Sequence, residues 1–377
     1  MLVSPSTPTS TMVVVPFLAE DPKLVVRTLE LAATHPRVTE VVGIHGDDPE
    51  TVRAVTALAS DFRIIPQQRI GRLRAGKGDA INTGFDYFLQ STCDRLHFYD
   101  ADIKTFETSW IDQAESGLDL GFDTVRHFYP RGATDGMVTA MLVRPALAMR
   151  WPYSVLARLK QPLSGEIAFT RRSATAIAGA QLVRKQSDWG IDTVITGATA
   201  HLGFSIYENY IVAGKDHQLY GSLAELKTMF WECLGALRLL MRESEPQQVA
   251  HHTDTHPPPT LDLLNVVAFD APATEKILQK PLTASQRELL RTEFNPAYAD
   301  ALVEKRLEMF DTTTWLDILK VLITRTVPSD LDWQTVAFQL WVARVLHFNS
   351  FEVEKGYAHA IEYIEAMITE AMLNPVN

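Results

Sequence analysis

The sequence predicts an α/β fold, with a mainly parallel sheet in the first 220 residues and an all-helical region after it. In the first part, short apolar runs alternate with amphipathic stretches, which is typical of strand–helix–strand units with right-handed crossovers. From residue 222 onward, apolar residues recur at the three- and four-residue spacing of helices. The chain has 377 residues, which is long enough for two or three domains with substantial cores.

The first four predicted strands follow one another with helices between them. The strands are expected at residues 12–17, 38–44, 62–66 and 95–99, and the helices at residues 22–34, 48–60 and 79–89. In a parallel sheet of this type, ligands bind beyond the carboxyl ends of the strands. Residues that directly follow these strands are therefore the first candidates for a functional site.

The pattern changes after Asp123. Strands that are more antiparallel in character are expected near residues 122–129, 138–144 and 166–170, and a further strand is expected at 202–211. A long helix is expected at 222–242, a proline-containing linker at 243–260, and helices throughout 261–373. The predicted organisation is a disordered tail at 1–11, a catalytic domain at 12–220 and a helical C-terminal region at 221–377 with a Pro/His-rich linker near 243–260.

Composition excludes several classes of protein. The net charge of −11 provides no footprint for nucleic acid, so an anionic ligand would need local cations or a metal ion. Cys93 and Cys233 fit neither a disulfide scaffold nor a metal-binding spacing, which favours a reducing cytoplasm. The N-terminal tail lacks the features of a signal peptide, and no stretch approaches the ~20 apolar residues of a membrane span.

Two carboxylates stand where the fourth strand ends. In the sequence HFYDADI, Asp100 and Asp102 are one residue apart, and alternation along an extended backbone directs both toward one point. Two acids at one point repel each other unless a cation joins them, and carboxylate oxygens suit Mg²⁺ or Mn²⁺. A metal ion carrying a diphosphate would satisfy the pair, whereas an acidic turn at a sheet edge is the structural alternative.

A basic, glycine-rich loop precedes the third helix. The sequence GRLRAGK, residues 71–77, has the spacing of a phosphate-binding P-loop, but Gly78 stands where that loop needs Ser or Thr. No apolar strand immediately precedes it either, so the P-loop is rejected. Lys77 is predicted to open a helix whose N-terminus attracts anions, with Arg72 and Arg74 beside it. A solvated basic loop remains the alternative.

Arg131 follows the two acids in the sequence RHFYPR. A guanidinium can bind a carboxylate through two parallel hydrogen bonds, which would suit an acceptor that is itself an acid. Asp135 stands four residues later, so a surface salt bridge between these two side chains is the alternative.

The segment SDWGID combines two acids with an aromatic ring. Asp188, Trp189 and Asp192 could bind a sugar through its hydroxyls and axial hydrogens, and Glu166 is a further candidate carboxylate. The structural alternative is a capping role for Asp188 before a helix, with Trp189 in the core.

Histidines provide the remaining metal-ligand candidates. His217, in GKDHQLY, is a candidate ligand for the same ion as Asp102, although a lone loop histidine is more often a surface residue. His251, His252 and His256 have the count of a metal site, but we expect them in a proline-rich linker without a rigid frame and set them aside.

The order of these motifs resembles that of nucleotide-sugar glycosyltransferases of the GT-A fold, and specifically of the mannosylglycerate synthase family of retaining mannosyltransferases. The resemblance rests on QQRIGRLRAGKGDAIN, HFYDADI, VRHFYPRGATDGM, QPLSGE, RKQSDWGIDT and SIYENYIVAGKDHQLYG, all within residues 12–240. A weaker similarity runs through the C-terminal part, as in FQLWVARVL. The resemblance implies a Rossmann-like mixed sheet that binds a nucleotide sugar, with a helical C-terminal region.

The resemblance also implies roles for individual residues. GDP-mannose would be the donor, contacted by Pro16, Glu20, Gln67, Lys77, Asp100, Trp189 and Tyr220. Asp102 and His217 would hold a divalent ion, Mn²⁺ or Mg²⁺, together with the diphosphate. The catalytic residues would be Asp192 and Leu163 around the mannose and Arg131. Arg131 would hold the carboxylate of D-glycerate, assisted by Asp135 and Thr139.

The implied reaction transfers mannose to D-glycerate with retention, giving 2-O-α-mannosylglycerate, a compatible solute. Neither nucleic acid nor membrane is an expected partner, and the helical region could form a homo-oligomer such as a dimer or tetramer. A related enzyme could use GDP-glucose or UDP-glucose and another small hydroxy acid. A sugar-1-phosphate nucleotidyltransferase is disfavoured, because PFLAE replaces the glycine-rich signature expected after the first strand. A non-catalytic nucleotide-sugar sensor would bind without turnover.

Overall fold

The computed structural model describes residues 9–216, 221–255, 268–325 and 331–376. The chain divides into two compact units that interleave along the sequence. The first is built from Met1–Pro130, Leu163–Gln218 and Pro246–Pro257, and the second from Arg131–Pro162, Leu219–Glu245 and Pro258–Asn377.

The described part of the first unit contains an eight-stranded mixed sheet. Its strands are β1 Thr11–Phe17, β2 Val38–His45, β3 Arg63–Pro66, β4 Arg95–Phe98, β5 Thr124–Phe128, β6 Ile167–Thr170, β7 Ile206–Tyr210 and β8 His251–Thr253. Their order across the sheet is β3-β2-β1-β4-β6-β5-β7-β8. Strands β1 to β4 are parallel, as predicted, while β6 runs antiparallel to both of its neighbours, β4 and β5.

The described residues form fifteen α-helices. These are α1 Pro22–Ala33, α2 Pro49–Leu58, α3 Lys77–Gln90, α4 Thr108–Asp119, α5 Arg144–Arg150, α6 Arg171–Gly179, α7 Gln181–Lys185, α8 Ile191–His201, α9 Lys227–Leu240, α10 Ala271–Gln279, α11 Ala284–Glu293, α12 Pro296–Glu304, α13 Thr312–Thr324, α14 Leu331–Phe351 and α15 Tyr357–Leu373. The crossover helices between the first strands confirm the predicted strand–helix alternation.

Residue types explain where the first elements form. Every residue of β1, TMVVVPF, is buried, as expected for a central strand of a sheet covered on both faces. Asp21 and Asp48 cap α1 and α2 through their side chains, and proline occupies the first turn of both helices. The apolar face of α1 and the Trp110 side chain of α4 belong to the same core cluster as Val13 and Val15 of β1.

The strand predicted at residues 138–144 is wrong. The chain there forms a π-helical turn, Thr139–Val143, which leads directly into α5. Met141, Leu142 and Val143 are fully buried, so the run is apolar on all sides. A short continuous apolar run has the same pattern in a buried helix as in a buried strand, and periodicity cannot separate them.

Two further expectations need correction at the far side of the sheet. β5, in the stretch expected to be antiparallel in character, pairs antiparallel with β6 but parallel with β7. Strand β8 lies inside the stretch 243–260 that was predicted to be a linker, and it pairs with β7 through Ile206 and His251. β8 has the sequence HHT, which carries no apolar alternation that could mark a strand.

The second unit is helical in its described residues. Its core includes Trp315, Trp333 and Trp341, all fully buried, and the Trp315 indole donates a hydrogen bond to the Met141 carbonyl at 2.7 Å. The predicted helix at 222–242 is a 3₁₀ turn, Leu223–Leu226, followed by α9. None of the helices described is long and apolar enough to cross a membrane.

Candidate active site

Asp100 lies two residues beyond β4, at the carboxyl end of the parallel strands. Lysine ammonium groups contact both of its carboxylate oxygens: Lys77 lies 2.9 Å from Oδ1, and Lys215 lies 2.9 Å from Oδ2. Burial alone would raise the pKa of Asp100, but the charges of Lys215 and Lys77 outweigh it and hold that pKa far below its usual range. Asp100 is therefore a fixed anion between two cations.

Lys77 opens α3, as predicted, and joins two acids of the site. Its ammonium group lies 3.2 Å from Asp192 Oδ2 as well as 2.9 Å from Asp100. Burial opposes its charge, but Asp100 and Asp192 together raise the pKa of Lys77. Burial raises the pKa of Asp192 to about 6, with the charge of Asp100 acting in the same direction and Lys77 against it. The two acids therefore differ strongly in proton affinity.

Lys215, the second lysine at Asp100, also contacts Glu166. Its ammonium group lies 2.7 Å from Glu166 Oε1, and Glu166 is fully buried. The other oxygen of Glu166, Oε2, accepts hydrogen bonds from the Ser164 hydroxyl at 3.2 Å and the Tyr129 hydroxyl at 3.3 Å. All these donors fix the Glu166 carboxylate in one orientation.

Gly165 packs directly against Asp100. A Cβ atom at this position would lie 2.5 Å from both carboxylate oxygens, a distance that no real contact tolerates. The turn that contains Leu163, Ser164 and Gly165 therefore packs closely against the Asp100 carboxylate, and this approach is possible because Gly165 has no side chain. Leu163, predicted to contact the sugar, is partly buried in this turn.

Trp189 and Asp192 are held by the start of α8 and by the loop before it. The Asn82 amide donates hydrogen bonds to the carbonyls of Gly78, Val183 and Gln186, at 3.0, 2.9 and 3.1 Å, and so fastens that loop to α3. Asp188 Oδ1 accepts a hydrogen bond from the Gly190 amide at 2.9 Å, but the N-cap residue of α8 is Gly190 itself, so Asp188 lies before the cap and does not occupy the predicted capping position.

The Trp189 ring is 37% exposed and therefore does not plug the core, contrary to the structural alternative for this residue. The Lys77 ammonium group lies 5.6 Å from the centre of the ring. Trp189 is therefore a partly exposed aromatic residue close to the ammonium group that also contacts Asp100 and Asp192.

The basic loop before α3 is organised by Asp79. Its Oδ1 accepts hydrogen bonds from the amides of Ile70 and Gly71, at 3.0 and 2.8 Å, and Arg69 forms an ion pair with Oδ2. Arg72 and Arg74 are exposed in this loop, as both the solvated-loop and the anion-binding interpretations expect. Lys77 is the cation of this loop that reaches the acids.

The residues after the first and third strands lie at the same edge. Pro16 is buried within β1 and pairs with Ile44, and the Gln67 amide donates a hydrogen bond to the His45 carbonyl at 2.9 Å just after β3. Glu20 accepts a hydrogen bond from the Leu18 amide. Burial raises the pKa of Glu20, and the charges of Asp102 and Asp100 raise it further, which places these three acids in one electrostatic neighbourhood.

Of the two predicted metal ligands, Asp102 lies within the described residues. Asp102 is half-buried near Glu20 and Asp100, and its carboxylate has the hard oxygen chemistry that suits Mg²⁺ or Mn²⁺. Among the residues that the structure describes, no three His, Cys, Asp or Glu side chains are grouped so that they could hold a metal ion. The predicted ligand His217 and the predicted donor residue Tyr220 both lie outside the described residues.

The predicted acceptor residues belong to the second unit. Arg131 Nη1 lies 3.0 Å from Asp135 Oδ2, and Asp135 Oδ1 accepts a hydrogen bond from the Gly136 amide at 2.7 Å. Both side chains are largely buried, so the pair is not the exposed surface bridge of the alternative interpretation. Thr139 begins the π-helical turn and is buried. π-Helical turns are rare and often occur at functional sites.

The histidine-rich stretch has a rigid frame after all, since His251 and His252 lie in β8. His251 Nε2 is 3.1 Å from Glu208 Oε2, and His252 Nε2 is 3.4 Å from Asp254 Oδ1. His256 lies outside the described residues.

Sequence reasoning missed three residues that shape the site: Asn82, Gly165 and Lys215. Asn82, Gly165 and Lys215 stood within motifs that were recognised, GKGDAIN, QPLSGE and GKDHQLY, but nothing in the sequence shows which distant residues each contacts. Lys215 stands two residues before His217. An isolated loop lysine carries no signal that it joins two distant acids.

Comparison with known proteins identifies the family. The mannosylglycerate synthase GT-domain model matches residues 11–239, and the mannosylglycerate synthase C-terminal-domain model matches residues 264–368. The chain is 37% identical over 369 residues to a mannosylglycerate synthase of Rhodothermus marinus, covering 95% of this chain and 93% of that protein. It is also 37% identical over 374 residues to a mannosylglycerate synthase of Selaginella moellendorffii, covering 95% and 89%.

A solved structure supports the fold. Glucosyl-3-phosphoglycerate synthase from Mycobacterium tuberculosis, in complex with Mg²⁺ and UDP, matches with a TM-score of 0.51 and 20% identity, covering 63% of this chain and 81% of that chain. This likeness confirms the GT-A fold predicted for the sheet. With the family models and the two relatives, it shows that the chain is a glycosyltransferase that belongs to the mannosylglycerate synthase family.

Proposed function

We propose that the protein transfers mannose from GDP-mannose to D-glycerate with retention of configuration, giving 2-O-α-mannosylglycerate. The observation that carries the proposal is the Asp100 carboxylate, held by Lys77 and Lys215 at the carboxyl end of β4 in a chain of this family. Such an arrangement provides fixed charges at the edge of the sheet where α/β folds bind nucleotides.

The donor roles go to residues at that edge. Pro16, Glu20, Gln67, Lys77 and Asp100 would contact the nucleoside, and the ion pair between Lys77 and Asp100 supports their place in one site. Trp189, Asp192 and the backbone of Leu163 would surround the mannose, and Tyr220 would lie near the phosphates. Support comes from the partial exposure of Trp189 and from the short distance between Lys77 and Asp192.

Asp102 and His217 would hold a divalent cation, Mn²⁺ or Mg²⁺, with the donor's diphosphate. When bound, this ion neutralises negative charge on the leaving nucleoside diphosphate. The half-buried carboxylate of Asp102 and its acidic surroundings support its part in this set.

Arg131 would bind the carboxylate of D-glycerate, with Asp135 and Thr139 as its supporting residues. The Arg131–Asp135 ion pair supports this role, because it fixes one side of the guanidinium fork. A fixed acceptor directs its hydroxyl at the anomeric carbon without further loss of orientational freedom.

Retention is proposed to occur by attack on the same face from which the phosphate departs. The bond between the anomeric carbon and the phosphate oxygen breaks, the bond to the acceptor oxygen forms, and the acceptor proton passes to a phosphate oxygen of the departing GDP. The two acids that could instead act as nucleophiles are already engaged: Glu166 by Lys215, Ser164 and Tyr129, and Asp192 by Lys77. Trapping a mannosyl ester on Asp192 or Glu166 would reject this step.

The function is tested by a matrix of donors and acceptors with Mn²⁺ and with Mg²⁺. The donors are GDP-mannose, GDP-glucose and UDP-glucose, and the acceptors are D-glycerate, lactate and glycolate. We expect the fastest release of nucleoside diphosphate from GDP-mannose with D-glycerate, and an α-linked product by NMR. A faster reaction with another pair would replace the proposed substrates, and binding without turnover would indicate a sensor. A cytoplasmic location and a homo-oligomer stay predictions.

A further inference from the structure

We propose that Lys215 is a positioning residue of the donor site, which fixes Asp100 by joining it to Glu166 through one ammonium group. Lys215 Nζ lies 2.9 Å from Asp100 Oδ2 and 2.7 Å from Glu166 Oε1, and its side chain is 8% exposed. The inference rests on the proposed function, since it assigns to Asp100 a role in holding the donor.

The backbone around Lys215 is itself anchored. The Thr105 hydroxyl donates a hydrogen bond to the Gly214 carbonyl at 2.9 Å and accepts one from the Asp216 amide at 3.1 Å. The Lys104 amide donates a hydrogen bond to the Asp216 carbonyl at 2.9 Å. The segment on both sides of Lys215 is therefore fixed to the loop that follows the two acids, and the lysine side chain points inward from a defined position.

Lys215 joins three separate parts of the chain. Asp100 follows β4, Glu166 precedes β6, and Lys215 follows β7. Asp100 would keep Lys77 if Lys215 lost its charge, whereas Glu166 is joined to no other cation among the described residues. Removal of the ammonium group would thus leave the Oδ2 atom of Asp100 without its lysine and leave Glu166 as a buried charge with no cation beside it.

The geometry points to a positioning role and not to direct contact with substrate. Two of the three ammonium protons are directed at carboxylates, and very little of the side chain reaches solvent. Gly165 packs against both carboxylate oxygens of Asp100, and Lys215 donates a hydrogen bond to one of them. These two contacts help to fix the orientation of the carboxylate. Loss of Lys215 should therefore weaken donor binding while leaving acceptor binding unchanged.

The first test compares Lys215→Met, Lys215→Arg and the control Lys104→Met. Lys104 forms a half-exposed pair with Asp216 at 3.2 Å, so it controls for the loss of a nearby lysine. We expect Lys215→Met to raise the KM for GDP-mannose about tenfold or more, because a charge-assisted hydrogen bond is lost, with the KM for D-glycerate unchanged. Lys215→Arg should recover part of the donor affinity, and Lys104→Met should behave as the wild type.

The second test separates positioning from folding by adding Glu166→Gln to Lys215→Met. Neutralising Glu166 removes the buried charge without a partner, so the Tm should return toward that of the wild type. Asp100 still lacks its second lysine in the double variant, so the KM for GDP-mannose should stay raised. If donor KM recovers together with Tm, or if the KM values for donor and acceptor rise equally, the positioning role is overturned.

The outcome for Lys215 can be separated from the outcome for the function. Wild-type turnover of GDP-mannose with D-glycerate is measured in the same series, and its absence would reject the proposed substrates. The affinity for GDP, measured by calorimetry in the presence of Mn²⁺, then decides the role of Lys215: weaker binding by Lys215→Met supports it, and unchanged binding overturns it.

Discussion

Lys77 and Asp192 form an ion pair at 3.2 Å, yet the pKa of Asp192 is raised to about 6. Burial destabilises the ionised carboxylate more than the charge of Lys77 stabilises it, and the negative charge of Asp100 destabilises it further. The acid that is proposed to lie beside the mannose therefore accepts a proton more readily than an ordinary aspartate, although it has a cation next to it.

This relationship predicts a pH-dependent stability. Between the usual pKa of an aspartate and about 6, the folded protein binds more protons at Asp192 than the unfolded chain, so this residue's contribution to stability falls as pH rises. Asp192→Asn removes that contribution. The stability of the wild type relative to the variant should fall between pH 4 and 6, by at most about 3 kcal/mol. Denaturant unfolding of both proteins measures this, and parallel pH curves would contradict the assignment.

Gly165→Ala should disrupt the donor site. The added Cβ would lie 2.5 Å from both oxygens of Asp100, so the acid or the turn must move. Because small misplacements at a reacting centre are costly, we expect kcat/KM for GDP-mannose to fall about tenfold to a hundredfold. Gly179→Ala is the matched control, since a Cβ there meets no atom within 4 Å. Equal behaviour of the two variants would show that the close approach has no functional role.

Arg131→Ala should raise the KM for D-glycerate about tenfold or more, with a much smaller effect on the KM for GDP-mannose, because a charge-assisted contact to a carboxylate is lost. Arg131→Lys keeps the charge but loses the planar fork, so its KM should fall between those of the wild type and the alanine variant. Steady-state kinetics with each substrate varied in turn provide the comparison. Equal increases for both substrates would reject the carboxylate-binding role.

Asp102→Ala and His217→Ala should both weaken the binding of the divalent ion. Each removes one proposed ligand, so the concentration of Mn²⁺ that gives half-maximal activity should rise. Chelation of the wild type should abolish turnover, and added Mn²⁺ should restore it. An unchanged Mn²⁺ response in either variant would exclude that residue as a ligand.

The local sequence pattern was sufficient to predict the edge of the sheet where Asp100 lies. Strands β1 to β4 are apolar runs bounded by amphipathic helices, so their order and their carboxyl ends could be predicted, and Lys77 was correctly expected at a helix start. The sequence motifs were also sufficient to identify the family.

Contacts between distant residues could not be predicted in this way. Lys215 follows Asp100 by 115 residues, and nothing in the pattern around either one indicates that they meet. The turn at Thr139–Val143 was mistaken for a strand because its residues are buried on every side. Strand β8 was missed because the pairing of its polar residues with β7, and not their own character, makes it a strand.

The position of β6 has a consequence for how the sheet forms during folding. β4 and β5 are not neighbours, and β6, only four residues long, is the single strand of the described sheet that bonds to both. A growing chain that has not yet reached Ile167 can pair β1 to β4 but cannot connect β5 to them. Continuity of the sheet therefore depends on a late, non-local step, in which loop-closure entropy must be overcome before the two halves meet.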